Sequence, residues 1–401
     1  MTAVTETRTT TSSPKAFAAV AAIVVLFLAA SSAPSPLYVV YQRQWGFSAS
    51  VLTLVFAIYV VGLLGSLLVV GALSDHVGRR PVLAAAILLE ALSLGVFLVA
   101  GDVTVLCVAR FLQGVATGAA TTTLGATLVD LNPPHAPGRA GVVNGIAPAT
   151  GLALGALGCG ALVEYAPAPT HLVYAVLLAG MIVAGIVILA MPEPAQRRPG
   201  ALASLRPRVG VPSHLRAEVL TVVPVLIATW ALGGLYLSLG PSVAAELFGL
   251  RNHLVGGLVV TLLCGSAAIS AFLLRKRPVT RLLGPSAAML AAGTLVTLGG
   301  MLAGSVVLGA AGTAIAGAGF GAAMLACFGT FGRIAAPHER GKLFAVAYVL
   351  AYLAFSVPAV AAGFASTAAG LTGTAEVYGL GVAVLAGVAL LARRRVPSPV
   401  G

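Results

Sequence analysis

Two ionisable side chains stand where ionisable side chains are expensive. Glu90 lies in the middle of the apolar run 82–100, and Arg110 lies inside the run 104–130. A charge in hydrocarbon costs from ~2.5 to more than 10 kcal/mol by different estimates, so each should face a wet cavity or a partner. Counted from the same end of their runs, Glu90 lies about ten residues in and Arg110 about seven. At 1.5 Å per residue the two differ in depth by roughly 5 Å, close enough to pair. The chemistry on offer is proton carriage. An arginine releases no proton at any accessible pH, so the titrating group has to be Glu90, or else Asp130 at the rim of the next run. Gln113, a helical neighbour of Arg110, lines the same face. No cluster of acids, histidines or a nucleophile with its base stands at one depth, so no catalytic residue is expected. Cys107, Cys159, Cys264 and Cys327 each lie in apolar sequence without ligand spacing, and the six histidines are scattered. Neither a metal nor a cofactor is expected.

The elements that must hold these groups are membrane spans. Only 8% of the 401 residues are charged and 59% are hydrophobic, with a mean hydropathy of +1.03. Twenty-three basic and 11 acidic residues cannot clothe a water-soluble protein of this size. That excludes a soluble enzyme, a disulfide-framed secreted domain and a disordered chain. The net charge of +12 reads as cationic loops against anionic lipid rather than as a nucleic-acid surface.

Runs of about 20 apolar residues cross a bilayer. Twelve are present, at 16–40, 51–73, 82–100, 104–130, 139–163, 170–191, 219–243, 254–274, 283–303, 305–331, 340–365 and 375–392. They do not alternate as barrel strands do, and 48 glycines suit helices that approach closely in lipid. Twenty of the 23 Lys and Arg fall on one side of this arrangement. Arg43 and Arg251 fall on the other, and Arg110 lies within a span. The asymmetry places both termini in the cytoplasm. The first run continues through Leu37 to Tyr41, and Pro34 opposes cleavage after Ala33, so the run is read as a span rather than a leader.

Residues 192–218 carry five prolines and five arginines and read as a linker. The expected organisation is a disordered tail at 1–15, a six-helix bundle at 16–191, the linker, a second bundle at 219–392 and a basic tail at 393–401. A repeat supports the halving. Shifted by 203 residues, Gly114, Gly118, Ala119, Ala120, Thr127, Pro134 and His135 fall on identical residues, 7 in 22 positions. Parallel six-span repeats are a known transporter architecture.

The loop between spans two and three reads Gly71-Ala-Leu-Ser-Asp75-His-Val-Gly78-Arg79-Arg80. Gly78 permits a tight turn, Asp75 can accept hydrogen bonds at a helix N-terminus, and Arg79 can fork onto a carboxylate. The string resembles the signature loop of the major facilitator superfamily, and every specified position matches. Arg110-Phe-Leu-Gln113-Gly114 resembles that family's R-x-x-Q-G motif on the corresponding helix. The segment from Gly141 through Gly145, Pro148, Gly151 and Gly155 resembles its antiporter motif in part, with Ala147 and Leu152 replacing two glycines. Read without the family, it is a kinkable, closely packed helix.

The resemblance implies an all-α membrane protein with 12 transmembrane helices in two pseudo-symmetric six-helix bundles. It implies that the loop latches the halves in an outward-open state, with Asp75 near Arg340 at the start of span eleven and Arg79 on Asp130. It also implies that spans one, four, seven and ten line the path. Those spans and the flanking span eleven offer Tyr38, Trp230, Tyr236, Tyr348 and Tyr352, an amphipathic lining with little charge. A hydrophobic or weakly polar organic substrate fits it. The expected function is proton-coupled efflux of such molecules through an inner-membrane protein acting as a monomer. Uptake or facilitated diffusion of a metabolite such as a sugar is the alternative. A receptor or scaffold would need neither Arg110 in the membrane nor a repeat.

Overall fold

The computed structural model describes residues 14–394 apart from 134, 135, 137, 196, 197, 208, 248, 250, 251 and 337, with side chains up to residue 391. Most of both tails, the Pro134-His135 repeat match and Arg251 therefore lie outside the described residues.

Among the described residues the chain is helical, with no strand. Twelve helices are long and apolar enough to cross a bilayer: Pro14–Trp45, Ala49–Val70, Arg79–Leu98, Val103–Asp130, Arg139–Tyr165, Leu172–Ala190, Ser213–Ser238, His253–Leu274, Leu283–Leu302, Val306–Ile334, Arg340–Ala369 and Leu371–Leu391. They are called spans 1 to 12. Several start where a short polar side chain takes an orphan amide of the first turn. The Ser48 hydroxyl accepts from the Val51 amide, an Asp102 carboxylate oxygen from Thr104 and Val105, and Asn252 from Leu254. Two spans are broken by proline, which lacks the amide a helix needs. Span 1 is interrupted at Ala33, before Pro34. Span 7 ends at Ser238, and Gly240–Leu247 forms a separate short helix around Pro241. This shortens the run expected to reach 243. Pro148 and Pro358 sit inside continuous helices.

Residues 17–191 supply most of one apolar core and residues 215–389 most of a second. Within the first, span 5 lies directly on span 1. A Cβ at Gly155 would meet the Ala29 carbonyl and the Ser32 hydroxyl, and one at Gly151 would meet Val25 and Leu28. Gly145 has only Leu325 nearby, at 3.5 Å from such a Cβ. Close backbone approach of this kind holds helices together in lipid, where tails offer no hydrophobic drive.

The end of the molecule bearing Asp75, Arg79 and Arg340 is called the basic end, and the opposite one the far end. Contacts between the two sets of six spans concentrate toward the far end. The Glu164 carboxylate at the end of span 5 accepts from both the backbone amide and Nδ1 of His253 at the start of span 8, each at 2.9 Å. Thr261 on span 8 donates to the Ala153 carbonyl at 3.0 Å. Phe56 on span 2 meets Phe355 on span 11 with ring centroids 4.9 Å apart.

Candidate functional site

Span 4 carries Arg110 into the first core, where the side chain is 1% exposed. It does not snorkel to water. Its Nε donates to the Tyr38 hydroxyl at 2.8 Å, and Nη2 reaches the same oxygen. Nη1 donates to the Ser31 carbonyl (3.1 Å) and to Oε1 of Gln113 (2.6 Å). The guanidinium also lies over the rings of Tyr38 and Tyr59, 5.4 and 5.0 Å from their centroids. Such contacts lower the cost of a buried cation without neutralising it.

Glu90 on span 3 is fully buried. Among the described residues it makes no direct ion pair with Arg110. The two are joined through an amide instead. Gln113 accepts from Arg110 and donates through Nε2 to Oε1 of Glu90 at 3.1 Å, and also to the Ala30 carbonyl at 3.1 Å. The second carboxyl oxygen of Glu90 has no hydrogen-bond partner among the described residues. A carboxyl and a cation are thus held one amide apart, across spans 1, 3 and 4. Tyr59, which sequence reasoning missed, closes the network by donating to the Ser31 hydroxyl at 3.1 Å. No charge or motif marks Tyr59, so only packing could reveal it.

The basic-end loop folds as a single turn of helix, Ser74–Val77, followed by Gly78 at φ +111°. Arg79 then opens span 3 with its side chain turned back. Nη1 meets Oδ1 of Asp75 (2.6 Å) and the Ser74 hydroxyl (2.6 Å), while Nε donates to Oδ2 of Asp130 (2.9 Å). Glu193, just past span 6, accepts from the backbone amides of Arg79 (2.8 Å) and Arg80 (3.0 Å). A carboxylate at that position meets the positive end of the span 3 dipole, worth about 0.3–1 kcal/mol. Arg80 itself donates to the Leu189 carbonyl. Glu193 lies between two prolines of the segment read as a linker, which hid its capping role.

Asp75 and Arg340 are not joined in this structure. Asp75 pairs with Arg79, and Arg340 donates to its neighbouring Ala335 carbonyl at 3.3 Å. In this structure the halves meet toward the far end, and the loop is tied to its own bundle through Arg79 and Asp130. The remaining residues singled out in the sequence separate. Tyr236 is engaged within the second core, its hydroxyl 2.7 Å from that of Thr313. Trp230 packs on Tyr352 and Phe355, and its indole nitrogen is buried without a partner among the described residues. Among the described residues no cluster of His, Cys, Asp or Glu could hold a metal.

The twelve-span fold with its two cores resembles several solved structures. Its backbone superposes on a bacterial homologue of the human lysosomal transporter Spinster in an inward-facing, occupied conformation (TM-score 0.73, 13% identity, 96% of this chain and 98% of that one). It also matches the nucleoside transporter NupG (TM-score 0.69, 11% identity, 94% and 98%). A third match is the human organic anion transporter MFSD10 (TM-score 0.65, 18% identity, 94% and 99%). These likenesses establish the fold. Comparison with curated proteins gives no sequence match. The sequence profile of the Major Facilitator Superfamily matches residues 20–357. The chain belongs to the major facilitator superfamily, and it is a multi-pass membrane transporter rather than an enzyme.

Proposed function

We propose that this protein exports small hydrophobic or weakly polar organic molecules across the cell's inner membrane by alternating access, in exchange for protons. In this reading both termini and the basic end are cytoplasmic. The loop, with Asp75, Arg79 and Asp130, is the latch that reaches span 11 at Arg340 when the far end opens. Residues 16–191 and 219–392 are the two rocking bundles, joined by the linker, and a single chain holds the whole path.

The observation that carries the coupling is the unpartnered oxygen of Glu90, one amide away from a permanent cation. An ionised Glu90 is balanced by Arg110 through Gln113. A proton on Glu90 cancels that balance and leaves the guanidinium to Tyr38 and the Ser31 carbonyl. Both partners lie on span 1, beside the break at Ala33. Proton occupancy therefore acts on the contact between spans 1 and 4, which the two-bundle motion has to remake.

The test is a substrate screen in everted vesicles, with dissipation of an imposed pH gradient as the readout. Compounds that dissipate the gradient through the wild-type protein should fail to do so through Glu90→Gln, while downhill exchange of the same compounds persists. Full uphill transport by Glu90→Gln would remove Glu90 from the coupling and leave Asp130, or no proton coupling at all.

A further inference from the structure

Span 11 carries Phe344, Tyr348, Tyr352 and Phe355 at helical spacings of four, four and three. Such spacing puts them on one face. They climb roughly 16 Å from the basic end toward the middle of the molecule. The rings touch in sequence. Phe328 of span 10 bridges Phe344 and Tyr348 at centroid distances of 6.0 and 5.3 Å. Tyr348 stacks on Tyr352 at 6.3 Å with 22° between planes. Trp230 of span 7 meets Tyr352 at 4.8 Å and Phe355 at 5.7 Å, both edge-on. At the top, Phe355 meets Phe56 of the other bundle. The ladder starts at the end away from the closed far-end contacts and stops at the junction of the halves.

Among the described residues, three polar groups on this ladder make no hydrogen bond. The indole nitrogen of Trp230 is buried and unpaired. The hydroxyls of Tyr348 and Tyr352 make no hydrogen bond within the described residues, and neither oxygen is sealed, so both are open to whatever occupies the space beside the ladder. By contrast the neighbouring Ser356 hydroxyl is spent on the Tyr352 carbonyl at 2.8 Å. An indole N–H is a donor only, and a phenol is a donor by preference. A buried unpaired donor costs about 1–3 kcal/mol, so the Trp230 indole calls for an acceptor, which the two open phenols can also meet. It carries no charge, because residues 219–245, 254–274, 283–332 and 343–375 contain no Asp, Glu, Lys or Arg. The mid-span charges of the first bundle, Arg110 and Glu90, are sealed at 1% and 0% exposure.

We infer that the span 11 ladder is the substrate site of the second bundle, and that it takes planar, uncharged aromatic molecules bearing hydrogen-bond acceptors. Ring faces and edges supply offset and edge-on stacking, worth about 0.5–1.5 kcal/mol per pair beyond area burial. The two phenols and the indole select a carbonyl, ether or ring-nitrogen acceptor. The rungs let such a molecule move from the basic end to the centre without giving up aromatic contact. This assignment rests on reading the protein as a transporter of organic molecules, and it adds the class of molecule.

The chain has two tryptophans, and Trp45 stacks on Tyr41 away from the ladder. In a Trp45→Phe background Trp230 is the sole indole reporter. Purified protein in nanodiscs is titrated with coumarin (neutral, with a lactone acceptor), naphthalene (similar size, no acceptor), 2-naphthoate and tetraphenylphosphonium. Protein-free nanodiscs correct for partitioning. Coumarin should quench Trp230 saturably and bind at least tenfold tighter than the other three. Tyr348→Phe and Tyr352→Phe keep the rings and should each weaken coumarin about three- to tenfold, as loss of one net hydrogen bond requires. No saturable quenching overturns the assignment. So does naphthalene binding as well as coumarin, tighter binding of either ion, or an unchanged affinity in the two Tyr→Phe variants. The titration involves no gradient, so coumarin binding without transport counts against export and not against the site. Export that ignores both tyrosines counts against the site alone.

Discussion

At the scale of single residues, Glu90 and Arg110 were readable in the sequence because charge in an apolar run is conspicuous. Their connection was not. Depth alone allowed a direct pair, whereas the rotation of span 3 against span 4 sets the carboxyl against Gln113 instead. Gln113 therefore holds more than its own hydrogen bonds. Gln113→Leu keeps the volume but removes one of the two acceptors of Arg110 Nη1 and the only described partner of Glu90. It should destabilise the protein by about 1–2 kcal/mol, since it strands the buried Glu90 carboxyl and leaves Arg110 one acceptor short. Combined with Glu90→Leu, the loss should be smaller than the sum of the two single losses, because both variants break one shared bond. Thermal unfolding in detergent of the two single variants and the double variant checks this. Strict additivity would mean the relay is not a unit.

At the scale of elements, the spans themselves follow from length and hydropathy, and the break in span 1 follows from Pro34. The end of span 7 at Ser238 was less obvious. The apolar run continues past it, and only the Gly240-Pro241 pair marks the stop. The basic-end loop depends on backbone that only glycine adopts easily. At Gly78 φ is +111°, and an added Cβ would press to 2.7 Å from the Glu193 carboxylate that caps span 3. Gly78→Ala should lower stability by about 1–3 kcal/mol. Gly158→Ala, where a Cβ meets nothing within 4 Å, should be neutral or slightly stabilising. Comparing the two melting temperatures separates backbone strain from a general intolerance of alanine. At the far end, Glu164 and His253 tie span 5 to span 8. Neither drew notice in the sequence, because each sits at a span end where polar residues are ordinary. Cysteines at 164 and 253, in a chain stripped of its native thiols, should cross-link under mild oxidation and stop transport, with reduction restoring it. Cross-linking that leaves turnover intact would show that the far end need not open.

At the scale of the whole molecule, the two-fold repeat was visible as a shift of 203 residues that lays span 4 on span 10. The closed end was not visible, because closure depends on which faces of spans 2, 5, 8 and 11 meet. Those faces are lined by residues such as Ala153, Thr261, Phe56 and Phe355 that look like any other core positions. The account requires that closure at one end exchange with closure at the other, and that a proton at Glu90 bias the exchange. The most direct measurement is a pair of spin-label distances in nanodiscs, again without native cysteines. One pair sits at Arg139 and Lys276 on the basic end and the other at Tyr165 and Ala303 on the far end. Acidification should shift both distance distributions in opposite senses, and Glu90→Gln should hold them at the acidic distribution whatever the pH. Distances that stay single and fixed at both ends, or that shift with pH equally in Glu90→Gln, would contradict it.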